Sequence, residues 1–213
     1  DAGDDAGGGH RDDDDEQDDL QAAVAEVADV TALPFSATST EALVCFGRIH
    51  PDKGADRAIA VAHRTGLPLI LAGIVQDETY FRERVVPHLD DDLVTYVGAV
   101  GPQERDALLG GAVALLHLIS FAEPFGLSVV EALATGTPVV AHPLGSLPEL
   151  LRDGRTGFLV RDLDEAVAAV GRIPGLHRRD CRADVEQRFT ADRMVDEYAA
   201  LFARVAAREP GAE

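Results

Sequence analysis

The chain has 213 residues, enough for one compact domain with a tail. Its 38 acidic residues outnumber its 19 basic residues and give a formal net charge of -19, which disfavours binding to nucleic acid or to an anionic membrane. All basic residues except Lys53 are arginines, and Lys53 lies between Asp52 and Gly54, which excludes the Gly-Lys-Ser/Thr element of a P-loop. We expect such an acid-rich, lysine-poor composition of a halophile protein, because high salt screens self-repulsion.

Cysteine usage and apolar run lengths indicate the compartment. Cys45 and Cys181 are too few for a disulfide framework or a cysteine-based zinc site. The sequence shows neither a secretory leader pattern nor an apolar run of about 18 residues. We therefore expect a cytoplasmic protein in a reducing environment.

The chain begins with an acidic stretch. Its first 19 residues hold 10 of the 38 acids and no apolar side chain larger than alanine. Such a segment cannot offset an ordering cost of about 1 to 2 kcal/mol per residue. The sequence predicts an acidic disordered tail over residues 1–31, with a short helix within Leu20–Val30.

From residue 41 onward, short apolar runs alternate with helical stretches. The runs are rich in Val, Ile or Leu and bounded by Gly or Pro, which is typical of strands buried on both faces. They are ALVCFG, PLILAG, LVTYVG, AVALLHL, TPVVA and GFLV, starting at positions 42, 68, 93, 112, 137 and 157. Helices are predicted between them at about 51–64, 77–87, 102–110, 125–135 and 147–152, with further helices after the last strand. This alternation predicts an α/β fold with a doubly wound, parallel, Rossmann-like sheet.

Ligands of such a sheet bind beyond the carboxyl ends of the strands, so the loops there are the first candidates for a site. The loop after the first run carries Arg48 and Lys53, and Asp52 is predicted to cap the helix that follows. The point charge of Lys53 would suit a phosphate. The alternative is that both cations are surface residues paired with some of the many acids.

The loop after the fourth run reads SFAEPFGLSVVEA. Pro124 fits the first turn of a helix, and Gly126 allows close approach to the backbone, where free N–H groups and the helix dipole favour an anion. Glu123 and Glu131 have carboxylates of the kind that accept hydrogen bonds from paired sugar hydroxyls. The alternative makes Glu123 a helix-terminus acid and Glu131 a solvated position.

The longer stretch EPFGLSVVEALATGTPVVA, with FGRIHPDKG upstream and GSLPELLRDGRTGFLV downstream, resembles a known family. It is similar to the C-terminal, donor-binding half of the group 1 (family 4) retaining glycosyltransferases, over about Leu33 to Arg204. The resemblance implies one half of a two-domain GT-B enzyme that transfers a hexose-type sugar from a nucleoside diphosphate sugar with retention of configuration. It implies no metal and no other cofactor, and leaves open both the acceptor and whether the nucleotide is UDP, GDP or ADP.

The resemblance also implies roles for individual residues. Glu123 would contact hydroxyls of the transferred sugar, Glu131 would hold the ribose, and Arg48 and Lys53 would neutralise the diphosphate. Glu123, Arg48 and Lys53 are thus the predicted catalytic residues. The remaining predicted donor-site positions act mainly through backbone atoms: Gly47, Val97, Gly126, Leu127 and Ser128.

Two Asp-x-Asp matches, 90–92 and 162–164, would suggest Mg²⁺ or Mn²⁺ in another glycosyltransferase architecture. In so acidic a chain such matches arise by chance, and Asp162 precedes a helical stretch that it is predicted to cap. The sequence has no H-E-x-x-H, G-x-S-x-G or G-x-G-x-x-G pattern, which argues against hydrolase and dinucleotide-oxidoreductase functions. No metal site is predicted.

We divide the chain into the tail, a nucleotide-sugar-binding domain over residues 32–189 and a C-terminal segment over residues 190–213. Thr190–Arg208 is predicted as an amphipathic helix whose stripe comprises Met194, Tyr198, Leu201, Phe202 and Val205. In the resembled family this region packs on an N-terminal acceptor domain, which has no counterpart before Leu33. The stripe must cover the chain's own core, meet another subunit or stay exposed, and we expect self-association or a partner subunit.

Two other functions remain open. The chain would act as a noncatalytic nucleotide-sugar-binding module, or as a truncated fragment, if it bound the donor without turnover even with an acceptor domain supplied. Another GT-B enzyme, such as a sugar epimerase or a phosphorylase, is the third alternative. A phosphorylase that uses pyridoxal phosphate needs a Schiff-base lysine, and the sequence around Lys53 does not fit that role.

Overall fold

The centre of the molecule is an open sheet of six parallel strands in the order β3-β2-β1-β4-β5-β6. The computed structural model describes residue 30, residues 32–90 and residues 92–206. Each strand lies within one of the predicted apolar runs, so the predicted α/β parallel sheet is confirmed. The strands are β1 (Leu43–Phe46), β2 (Leu69–Ala72), β3 (Val94–Tyr96), β4 (Leu115–His117), β5 (Val139–Ala141) and β6 (Gly157–Leu159).

Helices fill the connections between the strands and follow the last one. The stretch predicted as a helix over 77–87 is a single α-helical turn that widens into a π turn (Phe81–Val85) and ends in a 3-10 turn (Val86–His88) at Pro87, which has no N–H to continue a helix. The α-helices are α1 (Ala55–Thr65), α2 (Glu78–Tyr80), α3 (Pro102–Gly111), α4 (Leu127–Ala134), α5 (Leu147–Leu150), α6 (Leu163–Arg172), α7 (Arg178–Arg188) and α8 (Ala191–Ala206).

The helices cover both faces of the sheet. Side chains alternate across a strand, so Leu43 of β1 joins a core that includes residues of α1 and α6, whereas Val44 joins a core that includes residues of α4 and α7. Both side chains are at most 1% exposed. Burial on both faces explains why the strands read as continuous apolar runs.

The strand order places the crevice of the sheet between β1 and β4. These two strands are neighbours, with Val44 aligned with Leu115, although two further strands separate them in sequence. From this point the chain winds outward in both directions, which makes it the topological switch point of a Rossmann-like sheet. The loops that follow β1 and β4 therefore face each other across the carboxyl edge.

The prediction that Asp52 caps the first long helix is wrong. Asp52 lies in a 3-10 turn (Pro51–Lys53), and Gly54, with φ at +74°, occupies the N-cap position of α1 without a side-chain cap. The extra turn places Asp52 too early to reach the first free amides of α1. Its carboxylate instead lies 2.7 Å from His50 Nδ1 and 3.4 Å from Arg48 Nη2.

The two Asp-x-Asp segments have structural roles in the described part of the chain. The carboxylate of Asp162 accepts a hydrogen bond from the N–H of Glu165 at 2.9 Å, which confirms its prediction as the cap of α6. Asp164 pairs with Arg64 of α1 at 2.6 Å. Asp90 closes the turn before β3 by accepting from the N–H of Val94.

The C-terminal helices differ in how they join the domain. The guanidinium of Arg178, on α7, donates hydrogen bonds of 2.7 to 2.8 Å to the rest of the domain. The acceptors are the carbonyls of Ser36, Gly110 and Ala112 and the Thr137 hydroxyl. The apolar stripe of α8 is far more open, because Tyr198, Leu201 and Phe202 are between 42% and 64% exposed. These three side chains of the stripe are therefore only partly covered within the described residues, and self-association remains a prediction.

Some predictions lie outside the described residues. These are nearly all of the tail over residues 1–31 and its short helix, the Val205 side chain, and the end of the C-terminal helix beyond residue 206. Among the described residues, no helix combines the length and the apolarity needed to cross a membrane.

Candidate functional site

The candidate site lies at the carboxyl edge of the sheet, where the loops after β1, β4 and β5 meet. The N–H of Ser120, after β4, donates to the carbonyl of Asp52, after β1, at 2.9 Å. The N–H of Ser146, after β5, donates to the carbonyl of Glu123 at 2.9 Å. These backbone bonds hold the three loops in register, so the side chains that they carry have fixed neighbours.

Lys53 and Glu123 meet at the switch point. Lys53 Nζ lies 2.7 Å from Glu123 Oε2, and the two side chains are only 18% and 14% exposed. The same ammonium lies 4.6 Å from the centre of the Phe121 ring, within the range of a cation–π contact. Lys53 is paired with an acid, as the surface-cation alternative predicted, but its partner is itself a predicted site residue.

His117, the last residue of β4, lies behind this pair. It is 3% exposed, and its Nε2 approaches Glu123 Oε2 to 3.5 Å, which is longer than an ordinary N–H···O hydrogen bond. The His117 ring and the Lys53 ammonium lower the pKa of Glu123 from 4.5 to about 2, so the carboxylate is ionised at neutral pH. Burial lowers the pKa of His117 in turn, against the opposing effect of Glu123.

The buried, neutral His117 predicts a pH dependence of stability. In the unfolded chain the ring takes up a proton as the pH falls below about 6.5, whereas in the folded protein it does so only at lower pH. The contribution of His117 is therefore full above that pH and declines as the pH drops, by at most about 1.4 kcal/mol per pH unit.

We expect His117→Gln to show a shallower loss of unfolding free energy than the unsubstituted chain between pH 7.5 and 5.5. Urea unfolding in constant high salt measures both slopes, and His88→Gln, at an exposed histidine, is the control variant. Identical slopes for His117→Gln and the unsubstituted chain would contradict a neutral, buried His117.

Glu131 forms a second ion pair. Its Oε1 lies 2.6 Å from Arg105 Nη1, which projects from α3, and its side chain is 16% exposed. Arg105 Nη2 also contacts Asp106 at 2.9 Å. The solvated position that the alternative assigned to Glu131 is therefore wrong, because the carboxylate is mostly buried against α3.

The remaining predicted side chains lie at the rim. Arg48, whose side chain is 39% exposed, contacts Gln76 and Asp52. Val97 follows β3 and is 46% exposed. Gly47 directly follows β1, and its N–H bonds the carbonyl of Ala72 at 3.0 Å. The structure thus joins Lys53 to Glu123, whereas Arg48 and Glu131 have partners of their own.

The start of α4 offers backbone donors next to Glu123. Gly126, with φ at +89°, is the N-cap and makes no side-chain cap. Its carbonyl accepts from the N–H groups of Val129 and Val130, so those of Leu127 and Ser128 precede the first bonded amide of the helix. Such donors, together with the helix dipole, suit an anion.

Gly145 fixes the position of the Glu123 backbone. Its φ is +62°, and a Cβ there would lie 2.2 Å from the carbonyl oxygen and 2.4 Å from the nitrogen of Glu123. Gly145→Ala must therefore displace the loop that carries the carboxylate. Gly154, with φ at +73° and open space around it, is the matched control, because alanine there meets only the left-handed backbone cost of about 1 to 2 kcal/mol.

We expect Gly145→Ala to lose about 1 to 3 kcal/mol more unfolding free energy than Gly154→Ala, because the added methyl group clashes with backbone. Urea unfolding of the two variants measures the difference. Equal losses would mean that the Glu123 loop yields without strain.

No group of three or more His, Cys, Asp or Glu side chains within residues 30, 32–90 and 92–206 is arranged to hold a metal ion.

Two residues that support the site, His117 and Arg105, were not predicted from the sequence. His117 is the one polar residue of its apolar run, which was a usable signal. Arg105 gave no signal, because an arginine on a helix of an acidic chain is unremarkable by sequence.

Comparison with known proteins identifies the family. Residues 40–173 match the family described as glycosyl transferases group 1. The chain belongs to this family. The group 1 family match covers β1 to α6, and thus both loops that carry Lys53 and Glu123.

One relative and one solved structure, both described as glycosyltransferases, are similar to most of the chain. The chain is 39% identical over 170 residues to a D-inositol 3-phosphate glycosyltransferase of Mycobacterium marinum, a match that covers 76% of this chain and 35% of that protein. The crystal structure of AviGT4, a glycosyltransferase involved in avilamycin A biosynthesis, superposes with a TM-score of 0.71 at 29% identity, covering 81% of this chain and 54% of AviGT4.

A third comparison supports the fold alone. Anabaena Alr3699/HepE in complex with UDP-glucose superposes with a TM-score of 0.68 at 21% identity, covering 92% of this chain and 54% of that chain. The chain therefore has the Rossmann-like fold found in glycosyltransferase structures, and it spans about a third to a half of the length of the proteins it matches.

Proposed function

We propose that this chain is the C-terminal, donor-binding half of a family 4 retaining glycosyltransferase of the GT-B architecture. It binds a nucleoside diphosphate sugar and contributes to the transfer of a hexose-type sugar to an acceptor. In this proposal the enzyme also uses an acceptor-binding domain, as the resembled family does; the chain spans 35% of the length of the M. marinum relative.

One observation carries the proposal: Lys53 and Glu123, from the loops after β1 and β4, meet at the switch point of a parallel sheet. Ligands of such sheets bind in the crevice at this edge. An ammonium suits a diphosphate, and an ionised carboxylate suits sugar hydroxyls. The ammonium and the carboxylate thus suit the two groups that the breaking bond joins, the diphosphate and the sugar.

The proposed chemistry follows from where charge develops. When the sugar leaves the nucleotide, negative charge grows on the diphosphate. Lys53, Arg48 and the N–H groups at the start of α4 would stabilise that charge, which is the task that a metal performs in other architectures. Glu123 would hold hydroxyls of the transferred sugar.

The rest of the donor would lie along the carboxyl edge of the sheet. Glu131 would accept from the ribose hydroxyls, and Arg105 would keep its carboxylate in place. The backbone beyond β3, around Val97, would line the base. UDP is the first nucleotide to test, because Alr3699/HepE was solved with UDP-glucose.

Calorimetric titration tests this proposal without an acceptor. UDP, GDP and ADP are titrated into the chain in high KCl and EDTA, each with and without a matching sugar attached. We expect one nucleotide to bind without metal and its sugar conjugate to bind more tightly. A folded chain that binds none of them would contradict the proposal.

A second experiment separates transfer from binding alone. The chain is combined with the acceptor half of a related enzyme and supplied with the donor it binds. Release of nucleoside diphosphate and transfer with retention support the proposed enzyme. Donor binding without turnover would indicate a noncatalytic binding module instead.

A further inference from the structure

The proposed donor site does not explain why His117 is buried beside Glu123. The side chain is 3% exposed, and among the described residues its Nε2 makes no hydrogen bond. A buried polar atom without a partner costs free energy, and native proteins keep few of them. The position of this nitrogen at the end of β4, next to Glu123, therefore calls for a physical reason.

The carboxylate oxygen that His117 approaches already accepts a hydrogen bond from Lys53. Glu123 Oε2 lies 3.5 Å from His117 Nε2 and 2.7 Å from Lys53 Nζ. Lys53 Nζ is within hydrogen-bond distance of this oxygen. The imidazole nitrogen is just beyond that distance, and a small rotation of the carboxylate would bring the two atoms into contact. Both groups therefore face the same carboxylate oxygen, Lys53 at hydrogen-bond distance and His117 beyond it.

Donor binding would change this arrangement. The diphosphate of a nucleotide sugar would draw the Lys53 ammonium away from Glu123, so that each side chain reaches its own part of the ligand. The Glu123 carboxylate, only 14% exposed, then loses its cation. An ionised carboxylate in that position needs another donor to stay in place.

We propose that His117 is a positioning residue that replaces Lys53 on Glu123 when the donor binds: its Nε2–H donates to Glu123 Oε2 and holds the carboxylate toward the hydroxyls of the transferred sugar. This inference rests on the proposed function. It assigns His117 no contact with the ligand, because the ring lies behind Glu123.

The surroundings of the ring suit this exchange. A neutral imidazole carries one N–H and brings no second positive charge beside Lys53. Burial favours the neutral form, as do the Lys53 ammonium and His142, whereas Glu123 opposes them. The ring therefore donates a hydrogen bond to Glu123 without competing with Lys53 for the diphosphate.

Two substitutions at one position test the proposal. His117→Leu removes the donor, whereas His117→Gln keeps an N–H at similar reach. The probes are UDP, GDP and ADP and their glucose or mannose conjugates, from which titration of the unsubstituted chain selects the pair that binds. We expect His117→Leu to keep its affinity for the free nucleotide within about twofold and to bind the nucleotide sugar about tenfold more weakly, with His117→Gln recovering most of the loss.

A structural control and a measurement on the unsubstituted chain keep the test independent of folding. Leu116→Ala, at the buried neighbour of His117 on β4, destabilises the strand without removing a donor near Glu123. Nitrogen-15 NMR of the histidine rings follows His117 directly. We expect its Nε2–H resonance to move downfield when the nucleotide binds, because a new hydrogen bond to a carboxylate forms.

Several outcomes would overturn the inference. They are equal weakening of nucleotide and nucleotide sugar in His117→Leu, the same sugar-specific loss in Leu116→Ala, and a His117 resonance that does not change on binding. The proposed function fails separately, when the folded, unsubstituted chain binds none of the probes. Binding with an unchanged His117 resonance contradicts the inference alone.

Discussion

Replacing Lys53 by methionine is expected to weaken binding of the nucleoside diphosphate by about 10- to 150-fold, equivalent to about 1.5 to 3 kcal/mol. The reason is the loss of a charge-assisted hydrogen bond to phosphate from the only lysine of the chain. Titration of the selected nucleotide measures the effect. Arg64→Met, which removes an exposed cation paired with Asp164, is the control and is expected to bind normally.

The same substitution also affects stability, and a double variant separates the two effects. Lys53→Met leaves the Glu123 carboxylate, 14% exposed, without its cation and should lower the unfolding free energy on the order of 2 kcal/mol. Adding Glu123→Gln removes the unpaired charge, so stability should recover. Nucleotide binding should not, because the cation is still missing. Recovered binding in the double variant, or undiminished binding in Lys53→Met, would contradict the role of Lys53.

The fold was predictable because burial of a strand determines which of its residues are apolar. A strand covered on both faces has no polar side to alternate with, so Leu43 and Val44 are both apolar although they enter different cores. The local backbone geometry within a predicted helix was harder to predict from the sequence. The apolar spacing over 77–87 fits a helix, but it does not distinguish an α turn from the wider π turn at Phe81–Val85.

The site was predicted as separate residues, and the structure adds their partners. Lys53 and Glu123 were each placed after a strand, but their contact depends on β1 lying beside β4, and strand order is not encoded in periodicity. Asp52 was predicted as a cap because aspartate often starts a helix, and the 3-10 turn moved the start to Gly54. His117 stands out as the one polar residue of its apolar run, but its place beside Glu123 depends on a distance that the sequence does not give.

The two glutamates are expected to differ in which part of the donor they hold. Glu131→Ala should weaken binding of the free nucleotide by about 1.5 to 3 kcal/mol, because charged hydrogen bonds to the ribose are lost. Glu123→Ala should leave the free nucleotide almost unaffected and weaken the nucleotide sugar, because its partners are on the sugar. Titration of both ligands into both variants measures the four affinities.

The ion pair of Glu131 with Arg105 provides the control that decides between a binding role and a structural one. Glu131→Ala frees Arg105, which keeps Asp106 at 2.9 Å, so little structural damage is expected. Arg105→Met breaks the same pair but retains the Glu131 carboxylate. If Glu131 binds ribose, Glu131→Ala must weaken the nucleotide more than Arg105→Met does. Equal effects of these two variants would reduce Glu131 to a structural partner, and equal effects of Glu123→Ala and Glu131→Ala on the free nucleotide would contradict the division of roles.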